Sequence, residues 1–206
     1  MDQPPLYTIG HSNRSLDEFV SLLHQYEVGV LVDVRSQPVS GRFPYFNGEP
    51  LSSRLTDEGI RYRFMGEELG ARRHEEECYE AGQAKYPLIA KAFAFQSGLD
   101  QLRQAMAEQP VALMCAEKDP LTCHRTILVC RQLRAEVNIV HIIDETTTET
   151  QKEAESRLLD LLGLPARDLF RSEGEMLADA YDLQGERIAY RVTPSGRIPN
   201  EWGSEE

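Results

Sequence analysis

Apolar positions along the chain change their period several times, and each change marks an element. Leu6-Tyr7-Thr8-Ile9 is a short strand closed by Gly10-His11-Ser12. Ser15-Leu16-Asp17-Glu18 is a capping box, and Leu16, Phe19, Leu22, Leu23 and Tyr26 follow at helical spacing, so the helix runs to about Glu27. Val28 to Val34 is almost continuously apolar and β-branched, the pattern of a strand buried on both faces. The order then recurs: a helix from about Tyr86 to Glu108 with a break expected at Ser97-Gly98, a strand Val111-Ala112-Leu113-Met114, a helix from about Cys123 to Arg134, and a strand from Val137 to Ile143. The alternation predicts an α/β fold, a mostly parallel sheet flanked by helices with right-handed crossovers.

Between these regular parts, residues 36–86 read as a long irregular insertion. Pro38, Gly41, Pro44, Gly48 and Pro50 make a loop, Leu51 to Asp57 a short helix and Ile60 to Met65 a strand, while Gly66 to Tyr86 is polar without clear period. A loop of that length in a compact domain is usually functional or disordered. Gln151 to Leu162 is an amphipathic helix ended by Leu164-Pro165, and Phe170 to Val192 predicts one more helix and a short strand at Ile188-Ala189-Tyr190-Arg191. Residues 1–192 are therefore expected to form a single compact domain, with 193–206, including Trp202, a flexible tail.

Composition narrows the partners. The chain has 206 residues and a net charge of -12, which disfavours bulk nucleic-acid binding but leaves room for a local basic site. Of 22 basic residues only Lys85, Lys91, Lys118 and Lys152 are lysine, and Arg35, Arg42, Arg54, Arg61, Arg63, Arg72 and Arg73 cluster between residues 35 and 73. Arginine offers a planar fork suited to carboxylate or phosphate, although most such residues serve as surface ion pairs. No apolar run reaches about 18 residues, so no membrane span is expected, and the acidic, proline-rich start does not read as a signal peptide. With four cysteines that do not form a disulfide framework, these features point to the cytoplasm.

In an open parallel sheet, ligands sit at the carboxyl ends of the strands. The four clearest strands end in His11-Ser12, Asp33-Val34-Arg35, Cys115-Ala116-Glu117 and His141-Ile142-Ile143-Asp144, so each delivers a titratable group to one edge. Cys115-Ala116-Glu117-Lys118-Asp119-Pro120-Leu121-Thr122-Cys123-His124-Arg125 reads as strand, tight loop and helix start, with Asp119 or Thr122 as cap. Cys123, His124 and Arg125 then fall in the first turn, where free N–H groups favour an anion and lower a thiol pKa. Arg125 is electrostatically misplaced there unless an anion or carboxylate meets it.

Three readings stay open for this segment. Cys123 or Cys115 is a thiolate nucleophile with His124 or His11 as base. Alternatively His11, Cys115, Cys123 and His124 bind zinc or iron, although a C-x7-C-H spacing matches no standard zinc pattern. In the third, the cysteines are packing residues and His124 and Arg125 line a pocket. The thiolate character expected is greatest at Cys123, lower at the desolvated Cys115 and least at Cys130, which lies on an apolar helix face; Cys78 falls in a polar run where exposure alone would make it reactive.

Four blocks carry a family likeness: Tyr7-Thr8-Ile9-Gly10-His11-Ser12, Leu31-Val32-Asp33-Val34-Arg35 with Pro38, Leu69-Gly70 with Arg72-Arg73, and Cys115-Ala116-Glu117 followed by Cys123-His124-Arg125. In that order they resemble the domain of unknown function 488 family over about residues 6–143, with a weaker echo at Gln184 to Tyr190. The resemblance implies a compact α/β domain with a site built from those blocks and no assigned reaction. The family's Leu-Gly-Gly-Arg block reads Leu69-Gly70-Ala71-Arg72 here. A looser layout analogy links the Asp33-Val34-Arg35 strand and the cysteine loop to rhodanese-like domains.

The expectation is an enzyme, a hydrolase or group transferase, that binds an anionic and nucleotide-like or nucleic-acid-derived substrate at the strand ends. His11, Asp33, Glu117 and Cys123 are the candidate catalytic residues; Ser12, Arg35, Arg72, Cys115, His124 and Arg125 are the candidate binding residues. A metal-binding protein and a non-catalytic binding module are the alternatives, and no cofactor is specified.

Overall fold

The computed structural model describes residues 4–165 and 171–192. The expected tail from Thr193, with Trp202, and the helix start at Phe170 lie outside them. Among the described residues eight strands and eight α-helices follow in the order β1 (Leu6–Gly10), α1 (Leu16–Gln25), β2 (Val30–Asp33), α2 (Gly48–Asp57), β3 (Arg61–Phe64), α3 (Gly66–Leu69), β4 (Tyr79–Glu80), β5 (Gln83–Ala84), α4 (Tyr86–Ile89), α5 (Phe93–Glu108), β6 (Val111–Cys115), α6 (Arg131–Leu133), β7 (Ile139–Ile142), β8 (Thr148–Thr150), α7 (Gln151–Leu162) and α8 (Glu173–Ile188). Six strands form one sheet in the order β3-β2-β6-β1-β7-β8, and only β8 runs antiparallel to its neighbour. The expected mostly parallel α/β fold is the one observed. Among the described residues no helix is long and apolar enough to cross a membrane.

Strand alternation divides the core between the two faces of the sheet. Val30, Val32, Val111, Leu113 and Cys115 face a layer built on α5, α7, α8 and the helix after β6, while Leu31, Ala112, Met114 and Ile142 face α1 and α2. β6 lies between β2 and β1. The chain segments leaving those three strands therefore emerge side by side at one edge.

Several boundaries differ from the sequence pattern for physical reasons. The break expected at Ser97-Gly98 lies instead at Ala90–Ala92, and α5 runs unbroken through Gly98. A Cβ on Gly98 would come within 2.7 Å of the Glu68 Cβ, so this glycine lets α3 approach closely rather than ending a helix. The helix after β6 begins with a π-helical stretch, Arg125–Cys130, before α6. Ile188 closes α8 instead of opening a strand, and of that segment only Arg191 bridges, to Gln83. The stretch 36–86 is more ordered than its composition indicates: it contributes α2, the sheet edge β3, α3 and the β4–β5 hairpin. Cys78, expected to be open to reagents, is 1% exposed.

A buried polar chain ties β1 and β7 to the last two helices. The Thr8 hydroxyl donates to His141 Nδ1 at 2.8 Å, and His141 Nε2 donates to the Gln151 side-chain oxygen at 3.1 Å. Gln151 donates to the Tyr181 hydroxyl at 2.6 Å, which donates to Glu155 at 2.8 Å. Burial, reinforced by the Arg125 charge, pushes His141 down to about 3. The folded state therefore holds neutral imidazole, and its contribution is complete above the unfolded pKa of about 6.5 and is lost as pH falls toward 3. His141 by itself should lower stability in urea unfolding by on the order of 2–3 kcal/mol between pH 7 and pH 4.5, with His11, also held below its ordinary value, adding its own share. H141Q, which cannot titrate, should flatten that slope; parallel slopes for variant and parent would contradict this assignment.

Candidate functional site

The edge begins with a close approach that only glycine allows. A Cβ on Gly10 would lie 1.8 Å from the Glu117 carbonyl oxygen, so the segment after β6 can pass over the end of β1. The His11 N–H donates to the Cys115 carbonyl at 2.9 Å and the Ser12 N–H to the Ala116 carbonyl at 2.8 Å, which extends the pairing past both strands. Ser12 adopts a left-handed φ of 49°, and its carbonyl accepts from His11 Nδ1 at 3.0 Å. That bond fixes the tautomer and turns the His11 Nε2 lone pair toward Arg35 Nη1, 3.4 Å away. His11 stacks on Phe46 with ring centroids 4.5 Å apart. Burial, then the Arg35 charge, pushes its pKa down to about 4, so the ring is neutral near pH 7.

At the end of β2, Asp33 is fully enclosed and saturated. It accepts from Arg35 Nε at 2.9 Å, Arg35 Nη2 at 2.6 Å, the Arg35 backbone N–H at 3.1 Å and the Tyr62 hydroxyl at 2.8 Å. Arg35 Nη2 also donates to the Phe46 carbonyl at 2.7 Å. Asp33 thus sets the pose of Arg35 rather than reaching a ligand.

The loop after β6 is held from both ends. Asp119 caps the 3-10 turn Pro120–Thr122 through the Leu121 N–H at 2.9 Å and pairs with Arg157 at 2.9 Å. The expected role of Asp119 or Thr122 as cap of the next helix falls instead to Cys123. Its carbonyl accepts from Thr126 and Ile127, and its sulfur accepts from the Arg125 N–H at 3.4 Å. Arg125 does not hold an exposed anion as its position suggested. It is 0% exposed and its guanidinium donates to the carbonyls of Glu117 at 2.6 Å and Lys118 at 3.0 Å and to the Thr8 hydroxyl at 3.4 Å.

Cys115 Sγ, Cys123 Sγ and a His124 ring nitrogen lie within 4.8 Å of one another; Cys115 Sγ is 3.6 Å from His124 Nδ1. His124 Nε2 donates to the Val34 carbonyl at 2.9 Å, which leaves Nδ1 facing the sulfurs. The two thiols are pushed apart. Cys115 donates to Cys123 and is buried, and both effects raise its pKa well above the ordinary thiol value. At Cys123 burial acts upward, but the Cys115 S–H, the Arg125 charge and His124 together pull it well below that value. Burial, then the Cys123 charge, pushes Glu117 up to about 7, and its Oε2 is buried without a hydrogen-bond partner. Cys130, remote on its helix, is pushed up to about 12 by burial.

These elements enclose a cavity of about 250 Å³ lined by His11, Arg35, Ser36, Ser40, Arg72, Tyr86, Cys115, Glu117, Thr122, His124 and Tyr190, among others. Of the candidates, His11, Arg35, Arg72, Cys115, Glu117 and His124 meet there. Asp33 and Arg125 stand behind the wall as described, Cys123 is 1% exposed and lies beneath it, and the Ser12 hydroxyl turns to Asn13. The four-ligand set with His11 does not form: His11 is outside the close group, its Nε2 engaged by Arg35. Ala71 keeps a negative φ, so the missing second glycine of the Leu-Gly-Ala-Arg block costs no strain there. Tyr62 and Tyr86 carry no motif and were not expected, and Tyr190, the end of the Gln184 to Tyr190 echo, was given no role at the site. Tyr190 arrives because α8 is anchored by Gln184, whose side-chain amide donates to the Leu121 carbonyl at 2.7 Å; Arg72 lies over the Tyr190 ring at 4.8 Å.

The family described as domain of unknown function DUF488 matches residues 15–131, more than half of the chain. No curated protein and no solved structure matches it.

Replacing Arg125 tests its structural part. R125M removes the donors to two buried carbonyls and should cost about 3 kcal/mol or more in urea unfolding. A loss under about 1 kcal/mol would contradict the clamp.

Proposed function

The chain belongs to the DUF488 family, whose description carries no reaction; from the chemistry of the cavity we propose that it is an enzyme binding a small anionic substrate, a nucleotide or another phosphate-bearing molecule, and hydrolysing it or transferring a group from it. The observation that carries this reading is the charge of the cavity. In a chain of net charge -12, the wall presents, among the described residues, two arginines, Arg35 and Arg72, and one carboxyl, Glu117. Arginine forks suit the planar oxygens of phosphate and carboxylate. Asp33, the Phe46 carbonyl and His11 take up Nε, Nη2 and one N–H of Nη1, so Arg35 has one further Nη1 N–H for the cavity, held without loss of rotamer freedom, and Arg72 supplies the second cation. The volume, about 250 Å³, lies below the roughly 300–1,000 Å³ of larger ligand sites and suits a compact substrate or its reacting end.

Glu117 supplies the reactive group. Glu117 lines the same enclosed space, where its carboxyl can take a proton from an attacking water or give one to a leaving group. His11, neutral and committed through both nitrogens, polarises and shapes the wall. The buried, unpaired thiols fit a reducing compartment such as the cytoplasm.

Calorimetry with inorganic phosphate and nucleoside monophosphates tests the binding half. R72Q should weaken binding about tenfold, or about 1.4 kcal/mol, while leaving thermal stability near that of the parent. Equal affinities would overturn the anion reading. For the reaction half, hydrolysis of phosphate esters by the parent should fall by about 100-fold or more in E117Q with substrate binding retained. Binding without turnover of any ester by the parent would make the chain a binding module.

A further inference from the structure

We propose that Cys115, Cys123 and His124 bind a thiophilic divalent metal ion, zinc by its chemistry, with a fourth coordination position open to the cavity beside Glu117. The ligand types and spacing carry the proposal. Two sulfurs and one imidazole nitrogen lie within 4.8 Å of one another. A tetrahedral zinc with bonds of about 2.3 Å to sulfur and about 2.0–2.1 Å to nitrogen holds such atoms about 3.5–3.8 Å apart; Cys115 Sγ and His124 Nδ1 are 3.6 Å apart. Thiolate with imidazole selects zinc over magnesium or calcium.

The surroundings are those a metal ligand needs. Metal-binding histidines almost always donate the second nitrogen to a carbonyl or carboxylate, which fixes the tautomer. His124 does so, with Nε2 donating to the Val34 carbonyl at 2.9 Å and Nδ1 left for the ion. The Arg125 N–H meets Cys123 Sγ at 3.4 Å and orients that sulfur. These partners come from the ends of two neighbouring strands and the start of one helix, so the group is assembled by the fold rather than by a short loop.

Three protein ligands leave one position, the arrangement of a reactive rather than a purely structural zinc. Cys115 and His124 line the cavity, so that position faces it. Glu117, two residues after Cys115, lines the cavity but lies outside the close group, and its Oε2 has no partner. A water held in the fourth position would supply that oxygen with its missing hydrogen bond. The inference rests on the proposed function only for which way the open position faces.

The test is metal binding by the full chain, purified under reducing conditions with no anion added. Elemental analysis after zinc loading should give one ion per chain. Titration with cobalt(II) should give a thiolate-to-cobalt charge-transfer band and the intense visible bands of a four-coordinate ion. C115S and C123S should each weaken zinc binding more than about 100-fold, beyond the range of an outer-sphere change, and C130A should bind as the parent does. E117Q should keep both the metal and the four-coordinate spectrum. A folded parent that takes up no stoichiometric metal, or whose cobalt spectrum lacks the thiolate band, overturns the site, and so does unchanged binding by C115S and C123S. If either variant fails to fold, the cobalt spectrum of the parent decides. Loss of metal in E117Q overturns the open position. With no anion present, failure here leaves the anion reading standing, and failure of R72Q leaves the metal site standing.

Discussion

A guanidinium taken wholly out of water is the constraint on which the rest of this site depends. Arg125 is fully buried, and its hydrogen bonds go to two carbonyls and a hydroxyl, none of them charged. Such a cation is stable only where negative charge or oriented dipoles surround it. The carbonyls of Glu117 and Lys118 are drawn down onto it, which lays the segment after β6 across Gly10 and sets Cys115 and Glu117 at the cavity wall. The same charge stands beside Cys123, the thiol held below its ordinary pKa. One buried cation thus sets the path of the backbone and adds to the Cys115 hydrogen bond in lowering Cys123.

A second buried pair plays the matching part on the neighbouring strand. Asp33 and Arg35 neutralise each other, and Tyr62 and the Phe46 carbonyl complete their hydrogen bonds. Such pairs add little net stability, and removing one partner is costly. What the pair does add is a fixed cation at the wall, next to a histidine held neutral. The cavity is in this way polar and preorganised, with its titratable groups pushed in different directions: His11 down, Glu117 up, Cys123 down and Cys115 up. Separation of this kind is characteristic of reactive sites.

Much of the fold was legible in the sequence because period and caps are local. The Ser15–Glu18 capping box, the doubly buried β2, β6 and the amphipathic α7 stand where the pattern puts them. What failed were inferences in which tertiary contact overrides local chemistry. Gly98 looked like a breaker and is a packing contact; the polar run before Tyr86 folds into α3 and a hairpin whose contacts are distant in sequence. The site was legible to the extent that strand ends announce it, so His11, Arg35, Cys115, Glu117 and His124 were found together. Arg125 was assigned to a ligand because its sequence position could not reveal that backbone carbonyls would take up its fork. Tyr62 and Tyr86 were invisible because aromatic residues on separate elements leave no spacing to read, and the Gln184 to Tyr190 echo did not say where Tyr190 would lie.

The most direct measurement is a crystal structure of the full chain grown with zinc and inorganic phosphate, with anomalous data collected on both sides of the zinc edge. The expected map has one strong peak about 2.3 Å from each of the Cys115 and Cys123 sulfurs and about 2.1 Å from His124 Nδ1. Phosphate should lie in the cavity on Arg35 and Arg72, and the Arg125 guanidinium should remain on the carbonyls of Glu117 and Lys118. A fully occupied zinc elsewhere with these three side chains unliganded, or an Arg125 that leaves the carbonyls to meet the phosphate, would contradict the arrangement.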